Sequence, residues 1–197
     1  MGIWENLFGK NKAIKPVKSP FLPPKEEPVD IEFAKNFTQK GGRFLYIDSE
    51  LRLHQNYQDI GVENAWESEQ ILTLNPEFST QFGSTYIEQT SGNLKAYKAA
   101  VIGCEYLISN TAKILLSQNQ IKHFKLTDFP ETVIVVAHVN QLVRDVSQGM
   151  TLLKNKYDKA IPTNITTLKI KSDSGEEKST PELYTSAKNI YLLLQDF

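Results

Sequence analysis

The chain has 197 residues, of which 40% are hydrophobic and 23% charged, which is enough to bury the core of one ordinary globular domain. The formal net charge of -1 gives no overall field that would attract nucleic acid, so nucleic acid is not expected as a partner. One cysteine and three histidines cannot form an internal disulfide or a sequence-local zinc or iron–sulfur site, and we predict no cofactor in this chain. No run approaches the ~18 apolar residues of a transmembrane segment, and no secretory signal is recognisable, so the cytoplasm is the expected location.

Residues 1–29 differ from the rest and are expected to form a disordered or docking leader ahead of one domain, residues 30–197. Four large apolar side chains of the leader fall at helical spacing: Ile3, Trp4, Leu7 and Phe8. Four lysines and a proline-rich stretch follow, and proline favours an extended linker over helix or sheet. Two interpretations stay open: a peptide that docks on a partner or touches a membrane, and a terminus whose aromatic residues rest on the domain or on a neighbouring copy.

The first half of the domain alternates between helix and strand patterns. Asp30 is suited to cap a first helix, which Gly41 and Gly42 would end. The next predicted elements are a strand at residues 43–47, a helix at 50–57, a strand at 70–74 and a helix at 76–82, with proline early in the last. Such alternation is typical of βαβ units and a largely parallel sheet.

The second half is more apolar and continues the alternation. The predicted elements are buried structure at residues 99–108, strands at 113–116 and 133–137, a helix at 139–157, an extended segment at 168–170, a polar surface loop at 171–182 and a closing strand at 190–194. The second strand is a continuous β-branched run, which indicates that both of its faces are covered. The helix is predicted from apolar residues that recur at three- and four-residue steps.

No familiar catalytic motif is present, since the chain lacks a glycine-rich phosphate loop, a Gly-x-Ser-x-Gly turn and a His-Glu-x-x-His helix. Cys104 lies in an apolar run, where a buried thiol has a raised pKa and behaves as a small hydrophobic residue. His138 follows the β-branched strand at a carboxyl end, where parallel sheets place ligands, but a structural role is favoured. His123 is expected in an exposed basic turn. Glu105 and Asp128 have no second acid at a useful spacing, so a two-carboxylate mechanism has no support.

Three polar stretches lie beside apolar elements, at residues 109–111, 117–120 and 163–166. Short amides and hydroxyls in such places cap helices, form turns or hydrogen-bond a ligand. The sequence alone favours turns and caps, and a ligand site remains the alternative.

The first two stretches belong to a run that resembles a known family. Residues 103–117, Gly-Cys-Glu-Tyr-Leu-Ile-Ser-Asn-Thr-Ala-Lys-Ile-Leu-Leu-Ser, resemble the acidic-Thr-Gly-Thr block and following strand of the LUD domain, found in lactate-utilisation proteins B and C. A leucine–proline approach, the β-branched strand, the long helix and a Pro-Thr-Asn-Ile-Thr segment then follow in the family's order. The resemblance extends from about Asp30 to Phe197. Asn110 stands where the family usually has an acid, and Ala112 and Lys113 replace its Gly-Thr pair.

The resemblance implies a three-layer Rossmann-like α/β sandwich with a largely parallel sheet, shared with CoA transferases and sugar-phosphate isomerases. It also implies a subunit or accessory in the oxidation of lactate to pyruvate or in related organic-acid metabolism. Iron–sulfur clusters would then lie only in partner proteins, the lactate-oxidation subunits. The family offers no assigned catalytic residues to carry over, so whether this chain is an enzyme stays open.

Under this interpretation the polar stretches line a pocket at the carboxyl edge of the sheet for a small anionic or nucleotide-like ligand. The candidate ligand-binding residues are Asn110, Thr111, Lys113, Ser117, Lys122, Thr163, Asn164 and Thr166. Either lysine would neutralise a carboxylate or phosphate. The alternative is a non-catalytic interaction scaffold that docks a partner through its N-terminal peptide. A ligase or transferase like the fold relatives is a third hypothesis, and it lacks the phosphate loop that such chemistry normally uses.

Overall fold

The fold is known from a computed structural model, which describes residues 27–88, 92–171 and 186–197. The predictions for the leader before residue 27 and for the loop over residues 172–182 lie outside the described residues. In the described ranges, the helices are α1 Val29–Gln39, α2 Glu50–Asn64, α3 Pro76–Phe82, α4 Gln118–Ile121 and α5 Val146–Tyr157. The strands are β1 Arg43–Ile47, β2 Ile71–Thr73, β3 Thr85–Tyr86, β4 Ala99–Ile102, β5 Tyr106–Ile108, β6 Lys113–Leu116, β7 Thr132–His138, β8 Leu142–Val143, β9 Thr166–Ile170 and β10 Ala187–Gln195.

A large parallel sheet forms the centre of the molecule. Its strands run in the order β3-β2-β4-β7-β10-β1, and each neighbouring pair is parallel. A smaller mixed sheet has the order β9-β6-β5-β8, with β6 antiparallel to both of its neighbours. The two sheets join where the start of β10 pairs with the end of β9, at Ala187 and Lys169.

Two apolar cores cover the two faces of the large sheet. On one face, α2 and α3 pack Leu53, Tyr57 and Phe82 against alternate residues of the central strands. On the other face, α1 packs Phe33 and Phe37, and the small sheet contributes its inner side chains to the same core. The outer face of the small sheet packs against α5. This layered arrangement confirms the predicted Rossmann-like α/β sandwich with a largely parallel sheet.

The largest error of the sequence analysis concerns the helix expected over residues 139–157. The α-helix begins only at Val146, because the Asp145 carboxylate caps it by accepting the Gln148 N–H at 2.8 Å. The preceding residues form a short 3-10 turn and the strand β8, which pairs with β5. The apolar spacing was real, but Leu142 and Val143 use it to complete the small sheet.

Three smaller differences concern element boundaries. Helix α1 begins at Val29 with Pro28 as its N-terminal cap, where Asp30 was expected to cap it. Helix α2 continues to Asn64, because the buried residue Ile60 extends its apolar face beyond the predicted end. The short helix α4 was not predicted and lies in a stretch that was interpreted only as polar. In the part of the chain that the structure describes, no helix has the length and apolar character needed to cross a membrane.

Candidate functional site

The order in which successive strands are added across the large sheet reverses between β2 and β4. The connection that leaves β2 runs through α3 to β3 on one face, whereas β4 leads into the small sheet on the other face. Open parallel sheets commonly bind ligands outside the carboxyl ends of the strands at such a switch point. A crevice of about 90 Å³ lies at this place, and we call it the switch-point crevice. It is lined by Thr73, Leu74, Asn75, Val101, Ile102, Gly103, Asn119 and Gln120.

Capping interactions position the polar side chains on both sides of the crevice. On the α3 side, the Asn75 side-chain oxygen accepts the Glu77 N–H at 2.9 Å and so begins the helix. On the α4 side, the Ser117 hydroxyl accepts the Asn119 N–H at 3.2 Å, and Gln120 accepts the Ser117 N–H at 2.9 Å. This reciprocal capping box explains how a helix of one turn is stable at this position.

Behind α4 lies Glu105, whose side chain is fully buried. Its carboxylate accepts hydrogen bonds from five side chains. They are Ser117 at 2.7 Å, Lys156 at 3.0 Å, Tyr157 at 3.0 and 3.1 Å, Gln120 at 3.2 Å and Asn119 at 3.3 Å. We call these six residues the Glu105 cluster. The cluster connects the loop after β4, the capped turn of α4 and the last turn of α5.

The Glu105 carboxylate is held in its ionised form. Burial by itself raises the pKa of a carboxyl group, but the hydrogen bonds from Ser117, Lys156 and Gln120 outweigh it, so the pKa of Glu105 is lowered. The Lys156 ammonium remains about half exposed while it pairs with Glu105. A carboxylate with this many donors is a weak base and a weak nucleophile. The cluster therefore acts as an anchor for α4 rather than as a catalytic acid or base.

Asn119 also lines a second, larger cavity on the outer side of α4, which we call the α4 groove. Its volume is about 460 Å³. The lining residues are Gln118, Asn119, Lys122, His123, Thr163 and Asn164. Asn119 lines both the α4 groove and the switch-point crevice, and its hydrogen bond to Glu105 holds the side chain in place.

Hydrogen bonds between residues 40 to 45 positions apart in sequence connect the walls of the α4 groove. The Gln118 N–H donates to the Thr163 carbonyl at 3.0 Å, and the Thr163 hydroxyl donates to the Gln118 side chain. The Asn164 amide donates to the carbonyls of Lys122 at 3.0 Å and Phe124 at 3.2 Å. These contacts make the groove a preformed polar surface.

Two residues of the α4 groove have positive φ angles. Lys122 has φ 54° and ψ -128°, and Asn164 has φ 52°. For lysine this region costs about 1–3 kcal/mol, and such strain is concentrated at functional sites. The amide of Asn164 stabilises the strained turn by binding the Lys122 carbonyl. This contact links the two residues of positive φ within the groove.

The structure brings together three of the predicted ligand-binding residues, Lys122, Thr163 and Asn164, in the α4 groove. Thr166 lies close by, at the start of β9, where it pairs with Leu116. Ser117 is fully buried and its hydroxyl serves the Glu105 cluster. That these residues bind a ligand stays a prediction.

The other predicted residues, Asn110, Thr111 and Lys113, lie at the opposite end of β6 and are not brought into the groove. The turn at residues 109–111 packs on α1, and the Lys40 ammonium donates to the Thr111 carbonyl at 2.6 Å. The Asn110 N–H donates to the Arg144 carbonyl at 3.1 Å. These residues therefore form a turn, which is the structural role that the sequence favoured for this stretch.

Ala112 follows this turn and has φ 49°. It stands where the related motif has glycine, and glycine adopts this left-handed conformation without steric cost. The departure from the motif therefore affects backbone strain at a buried turn and does not remove a side chain from the α4 groove.

Sequence reasoning placed Gln118 and Asn119 in a polar stretch without naming them as ligand-binding candidates, and it missed both the hydrogen bonding of Glu105 to that stretch and the place of His123 in the groove. For Glu105 a signal existed, because an acid inside the apolar run at residues 99–108 has to be paired when it is buried. The expectation for Cys104 is confirmed, because burial raises the pKa of its thiol and the Glu105 carboxylate raises it further. His138 lies exposed at the end of β7, and its backbone N–H donates to the Gln141 side-chain oxygen. A structural role for its imidazole stays a prediction. Among the residues that the structure describes, no three His, Cys, Asp or Glu side chains are grouped as a metal would require.

Comparisons with known proteins agree with the fold. The family model of the LUD domain matches residues 32–189. The crystal structure of a DUF162 family protein from Deinococcus radiodurans superposes with a TM-score of 0.58 at 12% identity, covering 85% of this chain and 96% of that one. None of the curated proteins matches the sequence. Because the family model covers most of the chain, this protein belongs to the LUD domain family.

Proposed function

We propose that this protein binds a small anionic ligand in the α4 groove and serves as a subunit or accessory in the oxidation of lactate to pyruvate, or in related organic-acid metabolism. The observation that carries the proposal is the placement of Lys122 among amides and a hydroxyl in a preformed polar groove. The association of the LUD domain with lactate utilisation supplies the metabolic context.

The lining of the groove suits a carboxylate or a phosphate. The Lys122 ammonium offers a positive charge and donates to the Asn119 carbonyl at 3.3 Å. The side-chain amide of Gln118 can donate to the ligand, whereas the Asn119 amide and the Thr163 hydroxyl, which donate within the protein, can accept from its polar hydrogens. A volume of about 460 Å³ is within the usual range for small-molecule sites and exceeds what lactate alone would fill. A nucleotide-like ligand therefore remains in the proposal.

The groove favours binding over catalysis. Lys122 and His123 are the titratable side chains of its lining, and Glu105 behind it is saturated with hydrogen-bond donors. We therefore assign the redox step of lactate oxidation to iron–sulfur partner subunits. In this assignment the present chain holds an anionic ligand and positions it.

The proposal is tested by calorimetric titration and thermal unfolding of the full chain with lactate, pyruvate, other 2-hydroxy acids, nucleotides and coenzyme A esters. A ligand at 100 times its dissociation constant is expected to stabilise the folded state by about 2.7 kcal/mol. Lys122→Gln removes the charge and keeps most of the side chain, so it should weaken binding of the anion at least about tenfold. Lys159→Gln, at an exposed position outside the groove, is the matched control and should bind as the natural chain does.

Two results would contradict the proposal. The first is the absence of any dose-dependent shift with the whole panel. The second is equal affinity of the Lys122→Gln and Lys159→Gln variants for a ligand that does bind, because that ligand would then occupy another surface.

A further inference from the structure

A second groove lies on the face of the large sheet that α1 packs against, beside the first turn of α1 and the carboxyl ends of β1 and β10. We call it the α1 groove, and its volume is about 530 Å³. Its apolar floor and walls are formed by Val29, Ile31, Ala34, Phe44, Val139, Leu142 and Leu194. Tyr46, Asp30 and Asp196 form its polar rim. None of these residues belongs to the α4 groove.

The α1 groove exists because α1 covers only part of the sheet. Phe33 and Phe37 are fully buried, and the Phe37 ring lies against Phe44 on β1. The helix begins at Val29, so no described residue covers the sheet beyond its first turn, and Ile31 and Tyr46 are 52% and 53% exposed. Exposed apolar surface lined in this way usually marks a binding site.

We propose that the α1 groove binds residues 3–8 of the same chain. This segment carries Ile3, Trp4, Leu7 and Phe8 at helical spacing, which gives it the one-sided apolar character that an apolar groove accepts. The described chain begins at Glu27, and its next residues, from Val29 onward, form the wall of the groove. The segment is thus attached to the domain at the edge of the surface that it fits.

The connection is long enough for the segment to fold back. Eighteen residues separate Phe8 from Glu27. In an extended polyproline conformation they would span about 56 Å, at about 3.1 Å per residue, which exceeds the dimensions of the groove. The prolines at 16, 20, 23 and 24 restrict the unbound linker and so lower the entropy lost on docking. A short tether also gives an effective concentration on the order of millimolar, which compensates for modest intrinsic affinity.

Charge complementarity favours this occupant. Lys10 and Lys12 follow directly after the apolar segment, and the rim of the groove carries Asp30 and Asp196. Both acids are exposed, and Asp196 also accepts the Tyr46 hydroxyl, which fixes the carboxylate at the rim. Attraction between these lysines and the rim carboxylates should orient the segment, and it should make the docking weaker at high salt.

Hydrogen–deuterium exchange of the full chain tests the proposal without altering the leader. Amides of residues 3–8 should exchange at least about tenfold more slowly than those of an unstructured peptide of the same sequence. Ile31→Asp places a charge in the groove and should abolish this protection. Val62→Asp is the matched control, since Val62 is an 80% exposed β-branched residue on α2 at the opposite face, and it should leave the protection intact.

A second readout follows Trp4 directly in a Trp66→Phe background, where it is the single tryptophan. Acrylamide should quench its fluorescence severalfold less in this chain than after Ile31→Asp. Unprotected amides together with full quenching would overturn the proposal. Protection that appears only as the chain dimerises would assign the groove to a second copy, and protection that requires an added protein or lipid vesicle would assign the leader to that partner; either result overturns docking within one chain.

Discussion

Two buried charges of this protein, Glu105 and Lys188, are accommodated in opposite ways. Glu105 lies beyond the carboxyl end of β4 and accepts hydrogen bonds from five side chains. Lys188 lies near the start of β10, is 2% exposed, and donates to the Phe129 carbonyl at 3.0 Å. The pKa of Lys188 is lowered, mainly by burial, and the pKa of Glu105 is lowered despite burial.

The charge of Glu105 stabilises the fold, whereas the charge of Lys188 destabilises it. Lowering the pKa of a carboxyl group favours its charged form, whereas lowering the pKa of an amine disfavours it. The Glu105 cluster therefore stabilises the end of the molecule that carries the candidate site. Lys188 costs stability at neutral pH. Substitutions at the two positions should reveal this difference.

Glu105→Ala should have the largest effect. It leaves Ser117, Gln120 and Tyr157 without this acceptor, and each buried donor left unsatisfied typically costs about 1–3 kcal/mol of the free energy of unfolding. Urea denaturation measures the loss. The control is Glu131→Ala, whose carboxylate is 63% exposed and 3.5 Å from Lys171, and a surface pair of this kind contributes less than about 1 kcal/mol. Equal losses at both positions would contradict the anchor role.

The contribution of Glu105 should also depend on pH. Because its pKa in the folded state lies below the ordinary value of 4.5, the stabilisation is present above the pKa of the unfolded chain and is lost as pH falls through the lower, folded value. The difference in unfolding free energy between the natural chain and Glu105→Gln should be constant from neutral pH to about pH 5 and shrink below it. A difference that stays constant down to pH 3 would show that folding does not lower the pKa of Glu105.

Tyr157→Phe should have an intermediate effect. The substitution keeps the ring and removes a hydroxyl that donates to Glu105 and accepts the Asn119 amide at 2.8 Å. The expected loss is about 1–2 kcal/mol. Because Asn119 lines both cavities, the affinity for any ligand of the α4 groove should fall as well. Tyr86→Phe, at a 43% exposed position on β3, is the matched control for the loss of a tyrosine hydroxyl.

Lys188→Met should have the smallest effect on stability and the opposite sign. Replacing a buried charge by an apolar side chain of similar length is expected to leave stability unchanged or raise it by about 1 kcal/mol at pH 7. The gain should diminish as pH rises towards 10.5, because the folded Lys188 loses its proton before the unfolded chain does. Lys169→Met, at an exposed position on β9, is the control. A loss above about 2 kcal/mol would show that the bond to Phe129 stabilises the fold.

Much of the fold could be predicted because its determinants are local. Helix α3 has the predicted bounds, since Pro76 suits the first helical position and Gly83 follows its end. Strand β7 was recognisable from its β-branched run. The prediction was wrong where one pattern fits two structures. The apolar spacing of Leu142 and Val143 fits both a helix and the strand that they form, and only β5 decides between them.

The candidate site could be predicted only in part. Lys122, Thr163 and Asn164 were recognised as polar residues beside apolar elements, and the structure places them in one groove. Asn110 and Thr111 have the same local character, but their turn packs against α1 instead. Local sequence cannot distinguish these cases, because the antiparallel pairing of β6 with β9 determines which polar turn faces which.

The sequence by itself determined the family, the alternation of helices and strands and the buried character of the central strands, because periodicity and turn residues act over a few positions. Only the tertiary structure decided the strand order, the switch point between β2 and β4, and the Glu105 cluster. Glu105 meets Lys156 and Tyr157 from 51 and 52 residues away, and Asn164 meets Lys122 from 42. Such contacts depend on how whole elements pack against one another, which no short stretch of sequence specifies.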